Sequence, residues 1–397
     1  MENFVYQSPT KIIFGKGTEA EVGKEVKRFA DKILMVYYED QIIKKIGLYD
    51  KVIKSLKAEK IEIFELGKVK PNPVLSTVKE GIKICRDNNI DFMLAVGGGS
   101  VIDTAKAISI GVKYNGDVWD FYSDSYQTGK KPKEYLQVGV ILTIPAAGSE
   151  TSWASVITKE EGQLKRFFAD DKLRPVFAIL NPEITFTLPT NQTLNGISDM
   201  ISHNLERYFT VQKGIDATDR FLESAIKSLM KNAYIVLEKP QDYDARAEIM
   251  WLGLLSMNGI LAQGRIEDWA SHMIEHEISG IYDTVAHGAG LSIVTPAWMK
   301  YVYKHDVNKF AQFAVRVFGA DINFGKEESI ALEGIRRLEN FYKEVGLPVK
   351  LSELKNVNIT DSSLDEMAKK CTNGGPVGSF VKLDKKDCLN ILKLAAK

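Results

Sequence analysis

The stretch FMLAVGGGSVIDTAKAI, residues 92–108, combines a buried strand, three glycines, a serine and the apolar face of a helix. Gly97, Gly98 and Gly99 allow backbone amides to approach a phosphate, and the start of the helix adds partial positive charge. Ser100 is suited to cap that helix or to bond a phosphate oxygen. A plain strand-to-helix turn is the alternative. The position at the carboxyl end of a central strand favours a cofactor site.

Short β-rich apolar runs alternate with helical patterns on both sides of this loop. These runs are ILMVYY at 33–38, IEIFEL at 61–66, FMLAVGG at 92–98, VGVILTI at 138–144 and VFAIL at 176–180. Such alternation predicts a doubly wound, mostly parallel sheet with helices packed on it. The first half is therefore predicted to be a dinucleotide-binding α/β domain, residues 1–185.

The second half has long stretches with a helical period and almost no strand signal. They lie near 190–210, 215–237, 242–264, 268–280, 288–303, 307–318 and 326–345. We therefore predict an all-helical domain, residues 186–397. Two domains also suit 397 residues, because a single core rarely grows beyond about 250 to 300 residues.

The dinucleotide fingerprint GxGxxG is absent, so an ordinary Rossmann dehydrogenase is not supported. Glu39 and Asp40 follow the first run of the sheet, where a carboxylate could accept the ribose hydroxyls and repel a 2′-phosphate. This favours NAD over NADP. The alternative is that these acids only cap the next helix.

Composition and charge exclude several classes of partner. Lys plus Arg equals Asp plus Glu at 52 each, which leaves no net field for nucleic acid or an anionic membrane. No stretch reaches the roughly 20 apolar residues of a membrane span, and the start does not resemble a signal peptide. We expect a cytoplasmic protein with no nucleic-acid or membrane partner.

Four of the five histidines lie between residues 203 and 287. Asp199 and His203 are four residues apart, which places both side chains on one face of a helix, and His272 and His276 repeat that spacing. His287 begins the next helical stretch, while His305 has no such context. One Asp with three His suits Zn(II), Fe(II), Mn(II) or Co(II) and leaves a position for substrate. From spacing alone, His272 and His276 are equal candidates.

Three motifs together resemble the iron-containing, group III alcohol dehydrogenases. They are GGGSVIDTAK at 97–106, GISDMISHNLE at 196–206 and HMIEHEISGIYDTVAHGAG at 272–290. KPNP at 70–73, GRIEDWASHMIEH at 264–276 and TPAWMKYV at 295–302 are similar to the butanol dehydrogenase branch. The resemblance implies a dehydroquinate synthase-like superfold, with an α/β domain, a helical domain and an active site between them. It also implies a homodimer.

The resemblance assigns roles to individual residues of this chain. It implies metal ligands at Asp199, His203, His272 and His287, and places His276 near the nicotinamide as the catalytic histidine. It implies that the dinucleotide contacts Asp40, Asn72, Gly98, Gly99, Ser100, Asp103, Thr143, Ser149, Ser152 and Lys165. The implied cofactors are NAD, or alternatively NADP, and one divalent metal, either Fe(II) or Zn(II).

Three departures from the family pattern bear on these assignments. TIPAAGSE at 143–150 is shorter than the common TIPTTAGTGSE, which affects Ser149 and Ser152. Many members of the butanol branch have a glycine run where this chain has Glu39 and Asp40. The spacing from His276 to His287 is one residue longer than the family pattern.

The predicted reaction is hydride exchange between a nicotinamide and a short-chain aliphatic alcohol or aldehyde, in which the metal lowers the pKa of the alcohol. His276, with a cofactor ribose hydroxyl, could relay the proton. Trp153, Trp269 and Tyr282 could line a pocket for the aliphatic tail or simply pack in the core. The alternatives are a glycerol dehydrogenase-like or dehydroquinate synthase-like enzyme, a non-redox metallohydrolase, and a binding protein on an inactive fold.

Overall fold

A parallel sheet of six strands, in the order β1-β8-β5-β4-β2-β3, organises the first half of the chain in the computed structural model, which describes residues 1–122 and 130–397. The strands are β1 Lys11–Phe14, β2 Lys32–Tyr38, β3 Glu62–Val69, β4 Phe92–Gly97, β5 Gln137–Leu142, β6 Ala154–Lys159, β7 Leu164–Ala169 and β8 Phe177–Leu180. Strands β6 and β7 form a separate antiparallel pair. The predicted parallel sheet is confirmed, whereas β1 and the β6–β7 pair were not predicted.

The connections of the sheet change direction between β2 and β4. After β2 the chain continues to β3 at one edge, whereas after β4 it continues to β5 on the other side. Strands β2 and β4 are neighbours, with Leu34 beside Met93 and Val36 beside Ala95. Their carboxyl ends therefore form the switch point at which doubly wound sheets bind ligands.

Helices cover both faces of this sheet. They are α1 Val22–Lys27, α2 Ile42–Lys45, α3 Leu48–Ala58, α4 Leu75–Asn88, α5 Gly99–Gly111 and α8 Tyr243–Met257. Side chains of β2 alternate between two cores. Ile33 and Met35 pack with α1 and α3, while Leu34 and Val36 pack with α4 and α5. Burial on both faces explains why the strands are continuous apolar runs.

The rest of the chain is helical. Its helices are α6 Thr190–Tyr208, α7 Asp216–Glu238, α9 Ala270–Ile281, α10 His287–Val302, α11 Val307–Phe318, α12 Glu327–Glu344, α13 Asp361–Cys371 and α14 Lys385–Ala395. These include six of the seven helical stretches predicted from the sequence, and the seventh, 242–264, contains α8, which ends at Met257. Helices α13 and α14 are additional. None of the helices in the described ranges is long and apolar enough to cross a membrane.

The contacts divide the chain into two compact units. The sheet unit comprises Gln7–Pro189 and Gln241–Asn258, and the helical unit comprises Met1–Tyr6, Thr190–Pro240 and Gly259–Lys397. Helix α8 belongs to the sheet unit because Met250 and Leu254 are buried in the same core as the apolar side chains of α4 and α5. These units differ from the predicted division at residue 185 in two segments, because Met1–Tyr6 belongs to the helical unit and Gln241–Asn258 to the sheet unit. The division into functional domains stays a prediction.

Candidate metal centre and dinucleotide site

A buried carboxylate oxygen is surrounded by three imidazoles in the helical unit. Asp199 Oδ1 lies 3.3 Å from His203 Nε2, 3.4 Å from His272 Nε2 and 3.8 Å from His287 Nε2. Asp199 and His203 share a face of α6, His272 is in the first turn of α9, and His287 begins α10. The structure thus brings together the four residues for which the sequence predicted metal ligation.

Two atoms at the centre of this cluster have no hydrogen-bond partner within residues 1–122 and 130–397. They are Asp199 Oδ1 and His272 Nε2, and both residues are more than nine-tenths buried. Burying a polar atom without a partner costs about 1 to 3 kcal/mol. A divalent cation between an oxygen and several imidazole nitrogens would remove that cost, so the donor set fits a metal.

The pKa shifts of the clustered side chains are consistent with binding of a cation. Burial alone would raise the pKa of Asp199, but the neighbouring histidines hold it well below its usual range. Burial lowers the pKa of His203 well below its usual value, so its imidazole is neutral. For His272 burial acts in the same direction, yet the carboxylates of Glu206 and Asp199 raise its pKa to about 9. Binding of a cation at His272 Nε2 would therefore displace a proton.

Two buried glutamates complete the cluster, and the sequence analysis did not single them out. Glu206 contacts His272 Nδ1, and Glu275 contacts His287 Nδ1. A spacing signal was present, because Glu206 follows Asp199 by seven residues and Glu275 follows His272 by three. Both spacings return a side chain to the same helix face.

Aromatic and glycine residues define the edges of the cluster. The Trp269 ring lies 5.8 Å from that of His203 and 5.1 Å from that of His272, centroid to centroid. A Cβ atom at position 288 would lie 1.9 Å from the Asn195 carbonyl oxygen, so only glycine allows α10 to start this close to α6. His276 is one turn beyond His272, and its ring centroid lies 5.4 Å from that of His287.

The glycine loop of the sheet unit occupies the switch point. Helix α5 begins at Gly99, directly after β4. A Cβ atom at Gly98 would lie 2.9 Å from Ile144 Cβ and 3.1 Å from the Tyr38 hydroxyl, and one at Gly99 would lie 3.1 Å from Ala147 Cβ. Close packing therefore favours glycine at both positions, most strongly at Gly98.

Tyr38, the last residue of β2, contacts this loop and was missed by the sequence analysis. Its hydroxyl lies beside Gly98, and burial raises the pKa of this hydroxyl to about 12. Asp40 follows two residues later and is exposed, and its Oδ1 accepts a hydrogen bond of 3.0 Å from the Ile42 amide. The structure thus shows the capping contact that was the alternative for Asp40, which does not test the predicted ribose contact.

A buried lysine network holds several of the other predicted dinucleotide residues. Lys106 Nζ donates to the carbonyl oxygens of Ser149, Ser152 and Ala154 at 2.7, 2.9 and 2.9 Å. Ser149 Oγ donates to Asp103 Oδ1 at 2.5 Å, and the Val156 amide donates to Asp103 Oδ2 at 2.9 Å. Lys106 is thus the residue that fixes the segment 149–154, and the sequence analysis assigned it no role.

Three further predicted residues lie in the sheet unit. Lys165 Nζ donates to Asn72 Oδ1 at 3.0 Å, and its charge acts to lower the pKa of Asp103 against the dominant effect of burial. The Thr143 amide donates to the Gly97 carbonyl at 3.0 Å. The buried Thr143 hydroxyl has no partner in the described part of the chain. The structure therefore links Thr143 to the glycine loop and Asn72 to Lys165.

Comparisons with known proteins identify the family. Residues 9–182 match the model described as iron-containing alcohol dehydrogenase, and residues 193–396 match the C-terminal model of the same family. The chain is 41% identical to the probable NADH-dependent butanol dehydrogenase 1 of Bacillus subtilis over 99% of both chains. It is 34% identical to the NADPH-dependent aldehyde reductase YqhD of Escherichia coli over 94% of both.

A solved structure supports the same assignment. The crystal structure of NADH-dependent butanol dehydrogenase A from Thermotoga maritima is 40% identical, with a TM-score of 0.93 over 100% of this chain and 99% of that one. Sequence and structure agree over the full chain. Consistent with the resemblance noted in its motifs, the protein belongs to the iron-containing alcohol dehydrogenase family.

Proposed function

We propose that the chain is a metal-dependent dehydrogenase of short-chain aliphatic alcohols that prefers NAD and reduces the corresponding aldehydes in reverse. The observation that carries this proposal is the buried Asp199 Oδ1 with three imidazole nitrogens around it. The relatives named as butanol dehydrogenases and as an aldehyde reductase support this substrate class. Their family argues against the metallohydrolase and binding-protein alternatives.

Asp199, His203, His272 and His287 would hold one divalent ion, with Fe(II) favoured by the family and Zn(II) suited to the same donors. When bound, the ion supplies Lewis-acid chemistry that lowers the pKa of an alcohol hydroxyl or polarises an aldehyde carbonyl. The Asp199 carboxylate offsets part of the added positive charge. His276, half-buried beside His287, would accept the alcohol proton during oxidation and return it during reduction.

The dinucleotide would bind the sheet unit at its switch point. Gly98, Gly99 and Ser100 would contact the pyrophosphate through the start of α5, where the helix dipole favours negative charge. Asp103, Thr143, Ser149, Ser152, Asn72 and Lys165 would contact the rest of the cofactor. The unpartnered Thr143 hydroxyl supports such a contact. When bound, the nicotinamide would accept the hydride that the alcohol loses on oxidation, while His276 would accept the proton.

The central experiment is anaerobic reconstitution of metal-free protein with Fe(II) or Zn(II), followed by NADH absorbance with butyraldehyde. We expect oxidation of NADH with the native chain and none above background with His272→Ala. His305→Ala is the matched control, because His305 is exposed and packs on Phe380 outside the cluster. Absence of turnover with either metal and a series of aldehydes would contradict the proposed activity.

The preference for NAD is tested at Asp40. Because its carboxylate would repel a 2′-phosphate, we expect kcat/KM to be higher with NADH than with NADPH by about tenfold or more. Asp40→Asn should reduce that ratio. Glu39→Gln, which removes a charge 4.0 Å from Lys70, is the control and should leave the ratio unchanged. Faster turnover with NADPH in the native chain would show the carboxylate argument to be wrong.

We further propose a cytoplasmic homodimer formed partly through the N-terminal segment. Phe4 is 53% exposed and Val5 is 96% exposed, and apolar side chains of this kind are suited to burial against a second copy. Sedimentation of the native chain and of Phe4→Ser with Val5→Ser tests this. A native chain that sediments as a monomer would refute the dimer.

A further inference from the structure

The two glutamates beside the histidine cluster are arranged in a crossed pattern. Helix α6 carries His203 and, three residues later, Glu206, while α9 carries His272 and, three residues later, Glu275. Glu206 of α6 contacts His272 of α9, and Glu275 of α9 contacts His287 of α10.

The two carboxylate oxygens of Glu206 make different contacts. Its Oε1 accepts hydrogen bonds from the backbone amides of Ser271 at 2.7 Å and His272 at 3.2 Å. It therefore caps the first turn of α9, whose own capping residue, Trp269, forms no side-chain cap. Its Oε2 accepts from His272 Nδ1. With no exposed surface, Glu206 connects the position of α9 to the orientation of the His272 ring.

Glu275 is equally buried and is held close to its histidine by a glycine. Its Oε2 accepts from His287 Nδ1. A Cβ atom at Gly290 would lie 2.6 Å from both Cγ and Oε1 of Glu275, so α10 leaves room for this carboxylate only because position 290 is glycine. His287 and Gly290 are three residues apart and lie on the same side of α10.

A carboxylate can only accept from an imidazole, so each contact assigns the proton to Nδ1. This leaves Nε2 of His272 and His287 as the nitrogen facing Asp199 Oδ1. Each carboxylate also prevents rotation of the ring that it contacts. His203 differs, because its buried Nδ1 has no partner among the residues that the structure describes.

We propose that Glu206 and Glu275 are positioning residues that set the metal affinity of the cluster, each acting through a histidine of another helix. The inference rests on the proposed function only in assuming that the four ligands hold a metal. Glu206 of α6 orients His272 of α9, and Glu275 of α9 orients His287 of α10. Metal affinity therefore depends on the packing of three helices as well as on the four ligands.

The test is a titration of metal-free protein with Co(II) in competition with a chelator, together with the visible d–d absorption of the bound ion. Glu206→Gln and Glu275→Gln keep the shape and an accepting oxygen but remove the charge. We expect each to weaken Co(II) binding by about 10- to 100-fold and to change the d–d spectrum. Glu223→Gln is the matched control, a buried carboxylate of the same unit that accepts from Tyr208 and Arg316.

The crossed pattern, in which each glutamate acts on a histidine of another helix, is tested by combining each Glu→Gln substitution with removal of each histidine. Glu206→Gln should have little further effect in a His272→Ala background but its full effect with His287→Ala, and Glu275→Gln should show the reverse. Co(II) affinities within about threefold of the native chain for both Gln variants, with unchanged spectra, would overturn the proposal. So would equal losses in the Glu223→Gln control.

The experiment distinguishes failure of the proposed metal site from failure of the proposed positioning role. If the native chain itself binds no Co(II), the proposed metal site fails, whereas native binding with unaffected Gln variants refutes only the positioning role. If Glu206→Gln does not fold because α9 loses its cap, Glu275→Gln decides the question. Thermal unfolding of the metal-free variants identifies that case.

Discussion

The glycine loop of the sheet unit and the histidine cluster of the helical unit are built in opposite ways. The loop is one contiguous segment, residues 97–100, whose proposed cofactor role depends on backbone and on the absence of Cβ atoms. The cluster is assembled from three helices, and its proposed metal-binding role depends on buried side-chain charge. A contiguous site is defined by local sequence, whereas an assembled site requires correct packing of elements that are distant in the chain. The two sites should therefore respond differently to substitution.

The largest difference is expected at Asp199, whose Oδ1 is common to the three imidazole contacts. Asp199→Asn should lower kcat/KM with aldehyde by about a thousandfold or more, because Lewis-acid stabilisation contributes several kcal/mol. NADH binding, measured by fluorescence titration, should stay within about twofold of the native chain. A parallel loss of NADH affinity would show that the two sites are not independent.

Lys106 tests whether buried charge also holds the dinucleotide site. Lys106→Met removes the donor to three carbonyl groups and leaves Asp103 without its nearby cation, so we expect the free energy of unfolding to fall by about 3 to 5 kcal/mol. Urea unfolding measures this. Lys113→Met, at an exposed lysine paired with Asp91, is the control and should change stability by less than about 1 kcal/mol. Equal effects would indicate that burial of Lys106 contributes nothing.

Gly98→Ala addresses the contiguous site alone. The added Cβ would lie 2.9 Å from Ile144 Cβ, and the resulting displacement of the loop should weaken NADH binding by about 10- to 100-fold, equivalent to 1 to 3 kcal/mol of overpacking. Metal content, measured by plasma emission spectrometry, should be unchanged. Normal NADH affinity in this variant would mean that the cofactor does not approach this backbone.

Gly290→Ala should produce the smallest effect, because it acts on the assembled site indirectly. The new methyl group would displace Glu275 from His287, and we expect Co(II) affinity to fall by about tenfold with NADH affinity unchanged. Competition titration measures the first quantity. If the Co(II) affinity were unchanged, the histidine cluster would tolerate an added methyl group better than the glycine loop does. The expected difference between the two sites would then be reversed.

Local pattern was sufficient to predict most of the fold. Strand β4, the glycines and α5 form one contiguous segment with a clear pattern, and an apolar face at helical period is present in α6, α7, α9, α11 and α12. Strand β1 was missed because KIIF is a four-residue edge strand. The β6–β7 pair was missed because its side chains alternate only weakly in burial. The sequence also did not predict that α8 packs in the core of the sheet unit, because the apolar pattern of a helix does not specify which core the helix joins.

Within the candidate sites, the clustered Asp and His residues were predicted from the sequence, whereas the buried glutamates and the buried lysine were not. Histidine is rare in this chain, so the spacing of Asp199, His203, His272 and His287 was conspicuous. Glutamate is common and mostly solvated, so Glu206 and Glu275 were overlooked although their spacing places them on the helix faces of Asp199 and His272. Lys106 was overlooked for the same reason, since a buried lysine looks like an exposed one until the carbonyl groups around it are known.

Helix α8 has a consequence for the order in which the protein forms during synthesis. The sheet unit requires Met250 and Leu254 for its core, and Gly148 lies so close to α8 that a Cβ there would be 2.4 Å from Met257 Cβ. A ribosome must therefore translate all of α6 and α7 before the nascent sheet unit receives its last helix. At about 5 to 20 residues per second, the apolar surface beneath α8 stays uncovered for several seconds after β8 has emerged. During that interval the growing chain would be a substrate for chaperones that bind exposed apolar segments.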